Sequence, residues 1–205
     1  MDLYYILNIQ TDHAILPGFK YPQPHSGHGV HWKYAPHEIF TDTWYAEFCD
    51  KISFIGVPSV ILFYCAKSDT NDFTHIDINE SHIPVTAVPA AFNWVPTGGA
   101  GSSMVWYNMH TFTDENLWYG KYDKLWEHSE PDRKSPAAAI CRASSIQEIN
   151  QITVSSTHLT LVKTDTMHRI VMGNEDRWCV SIRLPYNASS TWGDYVNLAR
   201  DIIIK

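Results

Sequence analysis

The sequence predicts a mainly β protein with flanking helices. Short runs rich in branched and aromatic residues recur along the chain, each bounded by proline, glycine, asparagine or serine. Two of these runs alternate side-chain character with the two-residue period of a strand, and one stretch, 36–51, carries helical spacing instead. At 205 residues, 44% of them hydrophobic and 18% charged, the chain suits one domain that buries about 70% of its unfolded surface. We read it as a single unit over 1–205. Residues 1–57 give an N-terminal strand, loop and supporting helix, 58–184 a strand-rich core with an insertion at 108–140, and 185–205 a C-terminal extension.

Taken in order, residues 3–9 form a short apolar strand. A Pro-, Gly- and His-rich segment follows over 17–37, in which His25, His28 and His31 recur among glycines. That recurrence invites a second metal site, but no carboxylate or cysteine completes the set, so a surface loop is the reading adopted. Over 36–51, Ile39, Trp44 and Phe48 stand at near-helical spacing and predict a helix from Thr41 or Asp42, packed on the outside of a sheet. Residues 59–66 read as a buried strand leading into 74–78. Residues 90–95 make another strand, closed by Pro96 and the glycine turn at 97–101, with 103–107 as its partner. The glycine run lacks the Lys-Ser/Thr of a phosphate loop and no helix pattern follows it, so a hairpin turn accounts for it.

Residues 108–140 interrupt the rhythm of strands with aromatics and charge, including Trp118, Tyr119, Tyr122 and Trp126. Either a lid or substrate-recognition segment, or a satellite core, explains so many aromatics. Residues 145–150 give a short turn or strand and 157–162 a further strand. The last motif is a hairpin, 167–172 and 177–183, joined by the Gly and Asn turn at 173–176.

Composition removes several classes of function. Net charge is −7 with histidines neutral, and Lys and Arg are scattered, so no basic stripe offers a nucleic-acid backbone a footprint. Non-specific nucleic-acid binding is disfavoured. Cys49, Cys65, Cys141 and Cys179 show neither CxxC spacing nor the density of a disulfide scaffold, which predicts reduced thiols in a cytosolic setting. The N-terminal residues lack a basic n-region and cleavage site, and no apolar run reaches the ~18 residues of a membrane helix. A cytoplasmic, non-membrane protein is expected.

The candidate chemistry centres on residues 74–78. His75 and Asp77 share one face of a strand while Ile76 and Ile78 share the other, so two metal-ligating groups meet at one point. His168, at the start of the late hairpin, is the best third ligand. In the hairpin's second strand Arg177, Cys179, Ser181 and Arg183 share a face opposite Trp178, Val180 and Ile182. The apolar face packs outward, and two arginines pointing inward require an anionic partner, because an unpaired buried charge is costly.

An HxD on one strand, a later histidine opening a hairpin, and an arginine opening that hairpin's second strand together resemble the Fe(II)- and 2-oxoglutarate-dependent oxygenases. The resemblance covers residues 58–184 and rests on His75-Ile76-Asp77, His168 and residues 177–183, with 92–94 and 105–107 as weaker echoes. It implies a double-stranded β-helix, a jelly-roll, cupin-like barrel. It further implies that His75, Asp77 and His168 form the facial triad of Fe(II), leaving positions open for 2-oxoglutarate and O2. Arg177 would hold the far carboxylate of 2-oxoglutarate through its guanidinium fork. Arg183 would contact the other end of the cosubstrate, the substrate, or the fold itself, and Asn93 and Tyr107 would hydrogen-bond the cosubstrate.

The activity implied is a dioxygenase, a hydroxylase acting on a small molecule, an amino-acid derivative or a peptide side chain, with release of succinate and carbon dioxide. Iron and cosubstrate carry the hard step, while the protein positions the target carbon and excludes water. Retention of Asp77 argues against halogenation. Taken singly, each histidine is more often a satisfied core or surface residue, and His82, His110, His128 and His158 are read that way. Two rivals stand beside the oxygenase. A cupin-like binding module would keep the barrel without turnover, and inward-facing Arg177 and Arg183 count against it. A metal-dependent hydrolase or isomerase would want a further ligand or a general base, and the sequence offers no clear one.

Overall fold

The computed structural model describes residues 2–24, 30–68, 74–79, 86–107, 117–119, 137–141, 148–185 and 189–204. In chain order its strands are β1 (Tyr4–Gln10), β2 (Val30–Tyr34), β3 (Ser59–Cys65), β4 (Thr74–Asn79), β5 (Thr86–Ala87), β6 (Ala90–Gly98), β7 (Ser103–Tyr107), β8 (Leu117–Tyr119), β9 (Ala137–Cys141), β10 (Glu148–Ile152), β11 (His158–Lys163), β12 (His168–Val171) and β13 (Arg177–Arg183). Helices α1 (Pro36–Ile39) and α2 (Asp42–Lys51) lie between β2 and β3, and α3 (Trp192–Ala199) follows β13.

Among the described residues these strands make two antiparallel sheets. One runs β1-β11-β6-β13-β3-β2; the other runs β10-β7-β12-β4-β9-β8, with β5 paired to β4. Neither sheet closes on itself, so the structure shows a mainly β, two-sheet fold where the resemblance implies a barrel. An inner apolar cluster joins the sheets, drawing Ala91, Val95, Val162 and Cys179 from the first and Met104 and Trp106 from the second. A larger cluster lies on the outer side of the first sheet, under the helices. β13 divides its side chains between the two: Trp178, Val180 and Ile182 join the outer cluster and Cys179 the inner one. Full burial of a Val, Leu, Ile, Phe or Met side chain in these clusters contributes about 1.5–3 kcal/mol.

α2 begins where its sequence predicts. Thr41 is the N-cap, its hydroxyl accepting from the Trp44 backbone N–H at 3.4 Å. One turn apart, Trp44 and Phe48 meet Trp94 and Phe92 of β6, with ring centroids 5.6 and 5.5 Å apart. The helix therefore covers the outside of a sheet, as expected. α3 is closed by a reciprocal Thr191–Asp194 capping box and sets Tyr195 against Phe92. Among the described residues no helix is long and apolar enough to cross a membrane.

Five expectations change. The two predicted hairpins do not form: β6 pairs with β11 and β13 while β7 pairs with β10 and β12, and β12 pairs with β4 and β7 while β13 pairs with β3 and β6, so the turns after β6 and β12 carry the chain from one sheet to the other. The loop read over 17–37 contains β2, in which Trp32 and Tyr34 pack on the outer cluster while His31 turns inward and is 2% exposed. A two-residue alternation thus lies hidden behind the glycines; His25 and His28 lie outside the described residues. Pro96 does not end its strand either. β6 continues to Gly98 because the register against β13 shifts between Trp178 and Val180, and such a bulge accommodates a residue with no N–H to donate. The last change concerns 108–140. Its described parts, β8 and β9, extend the second sheet beyond β4, while Tyr122, Trp126 and the expected lid lie outside the described residues.

Candidate metal centre

β4 aims His75 and Asp77 between the sheets, whereas Ile76 points the other way, into a small cluster with Val105, Tyr107 and Met167. β12 then places His168 directly opposite His75 in register. One ligand atom from each of His75, Asp77 and His168 lies within 4.8 Å of the others. Nε2 of His75 stands 3.6 Å, and Nε2 of His168 3.9 Å, from Oδ1 of Asp77. The two imidazoles face each other at a centroid distance of 4.4 Å.

These residues fit a metal ion. Donors bound at about 2.1 Å to one ion sit about 3–4 Å apart, so the set closes around an ion with a shift of less than about 1 Å. Two imidazoles and one carboxylate suit a first-row divalent cation. The tautomer is also correct. Nδ1 of His168 lies 2.8 Å from the Thr166 carbonyl oxygen, which can only accept, so Nδ1 carries the proton and Nε2 presents its lone pair to the site.

Electrostatics hold both groups in their ligating forms. Burial pushes the His168 imidazole down, and the neighbouring His75 adds to this against the pull of Asp77 and the Thr166 carbonyl, leaving it at about 4. At neutral pH it carries no charge, as a ligand must not. Burial pushes the Asp77 carboxyl up, but Arg183, His168 and His75 together outweigh it and hold the group below its ordinary value. Arg183 is the closest of these, with Nη1 2.6 Å from Oδ2 of Asp77. The carboxylate is thus divided: Oδ2 faces the guanidinium, and Oδ1 faces both histidines.

Arg177 opens β13 on the same inward face and is 3% exposed. Its backbone pairs with Gly98 and Cys65. Gly98 is required there: its φ is +69°, and a Cβ would meet the Asp176 carbonyl oxygen at 1.7 Å. Among the described residues no carboxylate pairs with Arg177. The nearby Cys179 thiol is pushed up by burial, against the pull of Arg177, which hydrogen-bonds to it, and of Arg183.

Asn93 and Tyr107 separate. Asn93 lies on the inward face of β6, opposite Ser181 on one side and Thr160 on the other, with its Oδ1 buried and without a hydrogen-bond partner. Tyr107 lies on the outward face of the second sheet, with the Arg169 guanidinium 5.4 Å from its ring centroid. The sheet itself stands between Tyr107 and the group of His75, Asp77 and His168, because β7 pairs Trp106, not Tyr107, with His168. Two residues enter that the sequence reading did not single out. Thr166 orients His168 through its carbonyl, which leaves no trace in sequence. Ser181, whose Oγ accepts from Nε of Arg183 at 2.9 Å, is signalled only by sharing the arginines' face. His158 bonds Thr157 at 3.0 Å, and His82, His110 and His128 lie outside the described residues. The chain matches no protein-family model, no curated protein and no solved structure.

Proposed function

We propose that this chain is an Fe(II)- and 2-oxoglutarate-dependent dioxygenase that hydroxylates a small molecule, an amino-acid derivative or a peptide side chain. One observation carries the reading: a facial His-Asp-His donor set shares the space between two sheets with a buried guanidinium, Arg177, that has no carboxylate partner among the described residues. A metal site alone leaves many chemistries open. A buried cation on the inward face of the facing sheet calls for an anionic ligand, and a dicarboxylate that chelates the metal at one end and meets the guanidinium at the other answers both.

The strand order supports a jelly-roll arrangement for this reading. β3, β6, β11 and β13 lie in one sheet and β4, β7, β10 and β12 in the other, so the chain passes repeatedly between the layers. In the proposed enzyme His75, Asp77 and His168 hold Fe(II), which with O2 and the oxo acid supplies the oxidising chemistry. Arg177 binds the remote carboxylate of 2-oxoglutarate. Arg183 keeps Asp77 ionised and turned to the metal. The runner-up, a cupin-like binding module without turnover, draws support from the same Arg183–Asp77 pair, which satisfies the carboxylate without any metal.

Anaerobic addition of Fe(II) and 2-oxoglutarate separates the two. The oxygenase reading expects a weak visible charge-transfer band that Asp77→Ala abolishes, and succinate release once air is admitted. Folded wild-type protein that gives no band would sink it. Succinate release screened across amino-acid, peptide and metabolite panels then finds the substrate.

A further inference from the structure

We propose that Ser181 is a positioning residue for the metal-binding carboxylate, acting on Asp77 through Arg183; this rests on the metal reading above. Ser181 is fully buried on the inward face of β13, where a hydroxyl is costly unless bonded. Its Oγ accepts from Nε of Arg183 at 2.9 Å, while Nη1 of the same guanidinium reaches Oδ2 of Asp77 at 2.6 Å. An arginine beside a carboxylate ordinarily pairs with both oxygens through two parallel N–H groups. Here the Nε–H is turned to Ser181, and Nη1 is the group that meets Oδ2 of Asp77. With Oδ2 of Asp77 held by Nη1, Oδ1 faces the two histidines. Ser181 thereby fixes the guanidinium that holds Asp77 with Oδ1 turned to the metal site.

The test is Co(II) affinity, read by visible absorption and calorimetry on wild-type protein, Ser181→Ala, Ser181→Thr and Arg183→Lys, each checked for folding by circular dichroism. Loss of a group that orients a metal ligand typically weakens metal binding by about 10- to 100-fold, and Ser181→Ala is expected in that range. Ser181→Thr, which keeps the hydroxyl, restores affinity to within about threefold of wild type. Because Ser181 acts through Nε of Arg183, Ser181→Ala adds no further loss in the Arg183→Lys background. Should Ser181→Ala fail to fold, Ser181→Cys, of similar size but a poor acceptor, takes its place. An unchanged affinity in Ser181→Ala, or an undiminished loss in the Arg183→Lys background, overturns the inference and leaves the metal reading standing. Wild-type protein that takes up no Co(II) overturns both.

Discussion

The Arg183 guanidinium lies 2.6 Å from Oδ2 of Asp77, across the gap between the two sheets. Both side chains are nearly out of solvent, with 13% and 12% exposure. A pair so placed is held less by its own attraction, which desolvation largely offsets, than by the penalty for leaving either charge alone. It also leaves Oδ1 of the same carboxylate facing His75 and His168.

Arg183→Met should therefore destabilise the metal-free protein by about 3–5 kcal/mol, the usual loss when one member of a buried pair is removed. A divalent ion supplies a new positive partner to Asp77, so part of that loss should return when Co(II) is added. Urea denaturation with and without the metal reads both quantities. An equal loss in the two conditions would show that no ion reaches Asp77.

Acid should weaken the fold in two stages. The folded His168 imidazole is held at about 4, below its ordinary 6.5, so between these values the unfolded chain binds more protons than the folded one. Stability then falls as pH drops through that window, by on the order of 3 kcal/mol from this group. Buried His31, pushed down to about 4 by burial, titrates in the same window. Asp77 is shifted below its ordinary value, so its contribution is present above pH 3.8 and is lost as pH falls through the folded value. Urea midpoints measured from pH 7 to 4 should slope downward, and His168→Gln should flatten the slope. A flat wild-type profile would contradict the buried, neutral imidazole.

Much of this centre is legible in sequence where the signal is local. His75 and Asp77 declare a shared face by their spacing alone, and the alternation in 177–183 separates an apolar from a polar face before any partner is known. What escapes depends on contacts distant in the chain. Tyr107 turns away from the ligands because β7 pairs Trp106 with His168, a register that nothing within 103–107 encodes. His31 looks like part of a glycine loop, and only pairing with β3 makes its segment a strand. The link from Ser181 to Asp77 runs through the side-chain conformation of Arg183, which no spacing rule contains.

The Thr160 hydroxyl is fully buried, without a hydrogen-bond partner, beside Asn93 on the inward face. Replacing such a group by an apolar isostere removes its desolvation cost, so Thr160→Val should raise stability by about 1 kcal/mol. Thermal and urea unfolding of the metal-free protein read the change. A loss of stability would instead show that the hydroxyl is bonded, through an internal water or a shifted Asn93.

Arg177 gives the sharpest test of what the site is for. A guanidinium buried to 3% exposure, with no carboxylate among the described residues, burdens the ligand-free fold. Arg177→Met should leave the metal-free protein at least as stable as wild type, by analogy with other buried charges replaced by apolar side chains. Co(II) affinity should hold within about twofold, because Arg177 is not a ligand. Affinity of the metal-loaded protein for 2-oxoglutarate should fall at least about thirtyfold, the equivalent of about 2 kcal/mol for truncating one side of a desolvated charge pair. Calorimetric titration of 2-oxoglutarate into Mn(II)-loaded wild type and variant measures it without turnover. If Arg177→Met instead loses stability and metal together while 2-oxoglutarate binds neither protein, the guanidinium is a structural prop and the dicarboxylate reading falls with it.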